Sequence, residues 1–324
     1  MADVSQSWCP GDRGQLLLVG ALALAVVFVA LALLLNTAIY TGNLATRDSG
    51  VEATSAIEYT SESRQAGVDA VRSVNRRNNT SSSDLNRAFT ATVKRWDDLA
   101  SHHRAVAGDV AGTDVTGITN GTRIQQDDAS RKFTSAGGAA NWTVVDGSGV
   151  TAARSMRFTV DASTLTTVDD ATNATTETVF HVDVDSDPGI RSVYVYNNST
   201  SGNSEILVVD DGAETVCSVG SVTEGTFVVD IANASVGGKS CSALGTLDDT
   251  RGAVSIEYGD GGAAGGTYTM VVDEAPDGSI VLAGLNPDGS ASPYWTDAIY
   301  SAELTVTYRT GELDYEATVG VVPE

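Results

Sequence analysis

Residues 15–39 read QLLLVGALALAVVFVALALLLNTAI and contain no ionisable side chain. Within them, residues 16–35 are apolar throughout. A helix rises about 1.5 Å per residue, so about 20 residues cover about 30 Å, the hydrocarbon thickness of a bilayer. A helix buried in a protein core is the alternative for such a run. The length and the absence of charge favour a single transmembrane helix over residues 15–39.

The residues just before this apolar run carry a second signal. Asp12, Arg13 and Gly14 stand directly before Gln15, without a spacer. The junction resembles the class III signal peptides of archaeal pilins and archaellins, in which a prepilin peptidase cuts after the glycine and leaves the apolar helix on the mature protein. The resemblance implies processing at Arg13, Gly14 and Gln15, with residues 1–14 as a cytoplasmic leader. Val19 stands where bacterial type IV pilins carry a glutamate, a departure that bears on filament assembly.

An ordinary cleavable secretory signal is a different interpretation of this region. Such a signal has an apolar segment of roughly 7 to 15 residues, followed by a cleavage site of small residues. Here the apolar segment is longer, and the small residues lie inside it. We therefore expect no cleavage on the outer side, a cytoplasmic N-terminus and a large extracellular domain, held in the cell membrane by a single span. Cys9 precedes the apolar segment, whereas the cysteine of a lipid anchor would follow it.

Charge is divided unevenly along the chain, whose formal net charge is -23 at pH 7. Residues 1–160 contain 15 acidic and 15 basic residues, whereas residues 161–324 contain 27 acidic and 4 basic residues. So acidic a surface repels phosphate groups, which argues against nucleic acid as a partner. The excess of aspartate and the scarcity of lysine resemble the composition of proteins from extreme halophiles. In molar salt the Debye length is about 3 Å, so this charge would attract no partner over a long range.

Two features beyond the apolar segment fit an extracellular location. Cys217 and Cys241 are the two cysteines found there, and an oxidising exterior would let them form a disulfide, with two free buried thiols as the alternative. Asn-x-Ser/Thr sequons also occur only beyond the segment, although several would arise by chance in a chain so rich in serine and threonine. The candidate glycosylation sites are Asn78, Asn79, Asn120, Asn141, Asn173, Asn197, Asn198 and Asn233.

Hydrophobic periodicity predicts an α+β fold. Residues 37–75 carry apolar side chains at mostly helical spacing, and Asp84 is placed to cap a second helix that ends near Ala107. Beyond about residue 113 the apolar residues alternate as they do in strands, and turn signals separate the segments. Strands are predicted at residues 141–145, 155–160, 178–184, 190–196, 205–209, 226–231, 253–258, 268–272, 279–282, 302–308 and 313–321.

These elements divide the chain into four parts. The leader is residues 1–14, and the transmembrane helix is residues 15–39. This helix is expected to continue into a helical stalk of two helices, residues 40–110. Residues 113–324 then form an acidic, antiparallel, β-rich ectodomain with the character of a sandwich.

No motif for catalysis or cofactor binding stands out, and the chain is predicted not to be an enzyme. The glycine-rich segments at residues 147–149, 238–240 and 259–261 lack the helix that a phosphate or dinucleotide loop needs, so we interpret them as turns. His102 and His103 are adjacent on a predicted helix, and His181 lies alone in a predicted strand. This spacing fits neither a zinc site nor a catalytic triad.

One acidic segment resembles a calcium loop. Asp183, Asp185 and Asp187 alternate in the way that the ligands of such a loop do. However, Pro188 and Tyr194 occupy the positions where the loop needs a glycine and a glutamate. A solvated hairpin turn at residues 185–189 is therefore favoured, and the three aspartates are the only candidates for a metal site in the sequence.

Basic side chains concentrate on the two predicted helices. Three interpretations fit them: a solvated helix face, contact with anionic lipid head groups, or contact with the acidic half of a neighbouring subunit. The residues concerned are Arg72, Arg76, Arg77, Arg87, Lys94, Arg95 and Arg104.

The sequence leaves two functions open. In the first, the chain is a pilin-like structural surface protein, a minor pilin or pseudopilin of an archaeal type IV filament system. Its partners would then be membrane lipid, other pilin-like subunits and a prepilin peptidase. In the second, the chain is a single-pass anchored surface protein whose ectodomain binds a ligand, a cation or a cell-wall component. Processing at Gly14 distinguishes them, because a pilin must be released from its leader.

Overall fold

The computed structural model describes residues 11–77, 81–146, 149–187, 189–221, 225–247, 251–276 and 282–323. Within the first helix, side chains are described for residues 19–33 and 53–77. The sequons at Asn78 and Asn79 and most of the strand predicted at residues 279–282 lie outside the described residues. The described chain forms a helical hairpin and two sheets, so the predicted α+β, antiparallel, β-rich fold is confirmed.

Helix α1 (Gly11–Arg77) is one continuous helix of 67 residues, which corresponds to a length of about 100 Å. The apolar run and the first half of the hairpin therefore belong to a single element. Among the described side chains of α1, the buried ones begin at Ala56 and Tyr59. From there to its end, α1 packs on the eight-stranded sheet.

Helix α2 (Ser82–Ala107) follows α1 and ends at Ala107, as the sequence predicts. Its N-cap is Ser81, not the predicted Asp84. The Ser81 hydroxyl accepts the backbone N–H of Asp84 at 3.2 Å and donates to the Asp84 carboxylate at 2.9 Å. The carboxylate thus lies in the first turn, where the helix dipole stabilises negative charge. Gly108 ends the helix at a φ of 95°, a conformation that glycine adopts without strain.

The remaining chain is mostly strand, with a single-turn helix α3 (Ala171–Ala174) between two of the strands. The strands are β1 (Val110–Gln126), β2 (Trp142–Val145), β3 (Ala153–Asp161), β4 (Thr167–Val168), β5 (His181–Asp187), β6 (Gly189–Asn198), β7 (Asn203–Asp210), β8 (Ala213–Gly220), β9 (Thr226–Asp230), β10 (Ser235–Val236), β11 (Lys239–Ser240), β12 (Arg251–Gly259), β13 (Gly266–Val272), β14 (Tyr294–Arg309) and β15 (Asp314–Val321).

The strands form two sheets. The eight-stranded sheet has the order β11-β10-β9-β3-β13-β1-β14-β15. The seven-stranded sheet has the order β2-β12-β5-β6-β7-β8, with β4 paired in parallel to β6. The other strand pairs are antiparallel. Residues from both sheets fill one shared core, in which Phe158 of the larger sheet lies 5.9 Å from Tyr258 of the smaller one, measured between ring centroids.

The eight-stranded sheet also carries the helices. Strands β1, β14 and β15 pack against α1 and α2 in two further apolar clusters. Gly67 of α1 lies so near this sheet that a Cβ there would approach Val321 to 2.7 Å and Leu304 to 2.9 Å. The hairpin from Ala56 onward is therefore a layer packed directly on the β structure.

Candidate interaction surface

The three aspartates considered for a metal site lie along β5. They alternate with the buried Val182, Val184 and Ser186. β5 continues through Asp187 and β6 starts at Gly189, so the connection is tighter than the turn predicted at residues 185–189. Because alternate residues of a strand are about 7 Å apart, the carboxylates spread along the strand and do not converge. Among the residues that the structure describes, no group of three His, Cys, Asp or Glu side chains could hold a metal ion.

The histidines are also separated. The ring of His181 stacks on Tyr194 with 4.8 Å between centroids, and its Nδ1 donates to the carbonyl oxygen of Val179 at 3.0 Å. The ring lies over Gly259 of the adjacent strand, where a Cβ would come within 2.0 Å of Nε2. His102 and His103 are exposed on α2, in a different layer of the molecule. The three side chains therefore form no common site.

The predicted processing residues Arg13, Gly14 and Gln15 lie within the first turns of α1, and their side chains are outside the described residues. Further along α1, the large apolar side chains from Val19 to Leu33 are between 54% and 64% exposed. Within the described part of the chain, no helix has both the length and the apolarity needed to cross a membrane.

Cys217 and Cys241 are joined by a disulfide, with their Cα atoms 5.9 Å apart. Cys217 lies in β8, an edge of the seven-stranded sheet, and Cys241 directly follows β11, an edge of the eight-stranded sheet. The bond therefore links the two sheets at one side of the sandwich.

The asparagines of the described sequons differ in their burial and in the hydrogen bonds that their Nδ2 atoms donate. The Nδ2 atoms of Asn197 and Asn198 donate to the Ala162 carbonyl at 3.0 Å and to the Glu205 carboxylate at 2.9 Å. A glycan on either nitrogen would replace these contacts. Asn233 is exposed, and its Nδ2 donates to Asp230 at 3.1 Å. Asn141 is exposed, whereas Asn120 and Asn173 are partly buried.

In the folded chain, the seven residues of the predicted basic run fall into three groups. Arg104 turns inward and lies over the rings of Tyr59 and Tyr308, 5.6 and 6.0 Å from their centroids, while it donates to Glu62 at 3.2 Å. Arg72, Arg87 and Lys94 each lie near an aspartate of their own helix. Arg76, Arg77 and Arg95 are exposed. The basic residues therefore do not form one continuous surface.

A group of buried polar contacts lies at the register shift between β1 and β14. The register of β1 and β14 shifts so that Asn120 pairs with Ile299 and Thr119 pairs with Ser301, which makes Tyr300 the extra residue of a bulge in β14. Arg154 of β3 donates to the carbonyl oxygens of Ile299, Tyr300 and Pro323 at 2.9 to 3.0 Å. This guanidinium is buried among carbonyl groups, and its burial lowers the pKa of Arg154 to about 10.

The outer side of the hairpin has a groove between α1 and α2 of about 1020 Å³, which we call the hairpin groove. Small side chains of both helices and Trp96 line it, and three carboxylates of α1 stand along one wall. Next to the groove, α2 carries a second feature, the α2 ridge, formed by the exposed side chains Arg95, Leu99, His102 and Val106. Glu62 of this wall is paired with Arg104 at 3.2 Å, and Arg104 and His103 also line the groove.

The groove and the ridge both present apolar and charged side chains at the surface of the hairpin. Comparison of the chain with protein-family models, with curated proteins and with solved structures finds no match.

Proposed function

We propose that this chain is a pilin-like surface protein, held in the cell membrane by residues 15–39, with its N-terminus in the cytoplasm and its β-rich domain outside. Its role in this proposal is structural, as a minor pilin or pseudopilin. Membrane lipid, other pilin-like subunits and a prepilin peptidase are the proposed partners. The acidic composition fits a cell that lives in concentrated salt.

The observation that supports this proposal is the continuity of α1. One end of the helix carries the apolar run, and the other end packs on the eight-stranded sheet through Tyr59, Val71 and other buried side chains. An apolar helix that projects from a folded domain needs a cover, because large exposed apolar patches are rare on soluble proteins. Lipid provides that cover before assembly, and the helices of other subunits provide it within a filament.

Processing of the leader tests the proposal. The full chain is expressed in a cell that has a prepilin peptidase, and the N-terminus of the membrane-bound product is determined by intact mass. Cleavage between Gly14 and Gln15 is expected to leave Gln15 as the first residue. The variant Gly14→Val should keep the leader, whereas the matched variant Gly11→Val should be processed like the original chain. A product of the original chain that begins at Met1 or Ala2 would support the alternative, a single-pass anchored surface protein whose domain binds a ligand, a cation or a cell-wall component.

A further inference from the structure

The sequon formed by Asn141, Trp142 and Thr143 spans the start of β2, at one edge of the seven-stranded sheet. Asn141 and Thr143 are both exposed, as expected for two residues that share one side of an extended chain. Trp142 is turned inward: its Nε1 donates to the Phe133 carbonyl oxygen at 3.1 Å, and its ring centroid lies 5.5 Å from that of Tyr258. The middle residue therefore holds the segment in place while both acceptor residues face solvent.

The side-chain amide of Asn141 is fixed through its oxygen. Oδ1 accepts the backbone N–H of Asp260 at 2.7 Å, whereas Nδ2 donates to no residue in the described part of the chain. An N-linked sugar is attached to Nδ2 and leaves the carbonyl oxygen of the amide in place. The bond to Asp260 would therefore survive the modification, and the sugar would extend into solvent.

The other described sequons lack this combination. In three of them the Nδ2 atom donates to another residue: Asn197, Asn198 and Asn233. Asn120 is partly buried, and the threonine of its sequon, Thr122, is fully buried and donates to the carbonyl oxygen of Glu274. Asn173 is partly buried in α3. Within the described residues, only the sequon at Asn141 exposes both acceptor residues and leaves Nδ2 without a hydrogen bond.

We propose that Asn141 carries an N-linked glycan, whereas Asn197 and Asn198 do not. The donor is an oligosaccharide carried on a lipid phosphate, on the outer side of the membrane. The bond between the anomeric carbon of the first sugar and the phosphate oxygen breaks, and the same carbon forms a bond to Nδ2. The amide gives up one proton to a base of the transferase, and the lipid phosphate leaves with the electron pair. The inference rests on the proposed function in one respect, the outer location of the β-rich domain.

The folded structure favours this selection whether sugar transfer precedes or follows folding. After folding, Nδ2 of Asn141 is accessible, whereas those of Asn197 and Asn198 are engaged with Ala162 and Glu205. Before folding, a glycan on Asn141 would not hinder the later packing of the chain. A glycan on Asn198 would have to replace the contact with the buried carboxylate of Glu205, which then loses a hydrogen-bond donor.

The test uses the full chain with a short C-terminal extension that carries one reporter sequon, expressed in a cell that N-glycosylates its exported proteins. The membrane-bound product is digested with trypsin, and mass spectrometry measures the sugar on each peptide. Cleavage after Lys132 and Arg154 isolates residues 133–154, in which Asn141 is the only sequon. More than half of this peptide is expected to carry a glycan. The peptide of residues 192–239 should carry no glycan at Asn197 or Asn198.

Two substitutions of Thr143 form a matched pair. Thr143→Ala destroys the sequon and should abolish the glycan on Asn141. Thr143→Ser should retain the glycan, because it keeps both the sequon and the hydroxyl that donates to Glu257 at 3.2 Å. Circular dichroism of both variants separates a lost glycan from a lost fold.

The reporter sequon distinguishes the ways in which the inference can fail. A modified reporter beside an unmodified Asn141 would overturn it, and so would a glycan on Asn197 or Asn198. A glycan on the peptide of residues 133–154 that persists in Thr143→Ala would also overturn it. If the reporter and Asn141 both stay unmodified, the β-rich domain does not lie outside the cell, and the inference fails together with that part of the proposed function.

Discussion

The side-chain amide of Asn75 pairs with both backbone groups of Ile299. Its Nδ2 donates to the Ile299 carbonyl oxygen, and its Oδ1 accepts the Ile299 N–H, each at 2.9 Å and both buried. The same carbonyl oxygen accepts Arg154 Nη2 at 3.0 Å. The shift in register between β1 and β14 lies at this point, and bulges leave backbone groups outside the ladder. The side-chain amide of Asn75 therefore pairs with Ile299 as a residue of a neighbouring strand would, through one donor and one acceptor.

The first prediction concerns this pairing. Asn75→Ala should lower the free energy of unfolding by about 1 to 3 kcal/mol, because it leaves the buried N–H of Ile299 without its partner, whereas the carbonyl oxygen keeps the bond from Arg154. Urea denaturation followed by circular dichroism measures the change. Asn233→Ala, which removes an exposed amide, should change the same quantity by less than about 0.5 kcal/mol. Equal effects of the two substitutions would show that the Asn75 pairing contributes little.

The second prediction concerns tyrosines in the shared core. The hydroxyls of Tyr258 and Tyr268 are buried and have no hydrogen-bond partner in the described part of the chain, and burial raises the pKa of both. Tyr258→Phe and Tyr268→Phe should each raise the free energy of unfolding by about 0.5 to 2 kcal/mol, since an unpaired buried hydroxyl is costly.

Tyr196 is the matched contrast. Its hydroxyl donates to the Glu205 carboxylate at 3.0 Å, so Tyr196→Phe should lower the free energy of unfolding by about 1 to 2 kcal/mol. Thermal unfolding of the three variants gives the signs directly. A loss of stability in Tyr258→Phe and Tyr268→Phe would mean that these hydroxyls find partners in solution.

The third prediction concerns the disulfide. Replacing Cys217 and Cys241 together by serine should lower the free energy of unfolding by about 3 kcal/mol, from the chain entropy of the opened loop. Adding a thiol reductant to the original chain should lower its melting temperature, whereas the double variant should not respond. If the original chain did not respond either, in denaturant strong enough to expose the bond, then the two cysteines would not be paired in the protein.

The fourth prediction concerns salt. The 27 acidic residues of residues 161–324 face only 4 basic ones, and their repulsion reaches further when the Debye length grows from about 3 Å at 1 M to about 10 Å at 0.1 M. The full chain should therefore lose β-sheet signal in circular dichroism as salt is lowered. Asp185→Asn with Asp187→Asn should move the midpoint to lower salt.

Asp69→Asn with Asp98→Asn provides the comparison, because both residues are exposed on the charge-balanced helices. This pair should leave the midpoint where it is. A β-sheet signal in circular dichroism that is equally strong at 0.1 M and 1 M salt would contradict the idea that the acidic composition is an adaptation to concentrated salt.

The sequence predicts the regular parts of this fold because their patterns are local. α2 ends at the predicted Ala107, and the predicted strand at residues 190–196 lies inside β6. Strand β8 gave no such pattern, since as an edge it is exposed on most of its residues and needs no alternation. The predicted N-cap at Asp84 is wrong for a different reason: Ser81 and Asp84 bond to each other, and the sequence does not show which one lies outside the helix.

The long-range contacts could not be predicted from the sequence. Nothing near Asn75 indicates that it pairs with Ile299, because that contact depends on a register shift more than 200 residues away. Arg154 lies just before the strand predicted at residues 155–160, and nothing in that pattern indicates the carbonyl groups to which it donates. The α2 ridge was hidden for a similar reason, since only the packed structure shows which apolar face of α2 remains uncovered.

The continuity of α1 also has a mechanical consequence. Its packed half follows β14 from Tyr308, beside Tyr59, to Ile299, beside Asn75, a distance of about 25 to 30 Å. A pull on the apolar end of the helix is then directed along this contact between α1 and β14, which we call the seam. The contacts between the two elements are loaded together in shear, and they do not break one after another. The seam should therefore resist a pull along the helix axis better than the same contacts would resist a pull across it.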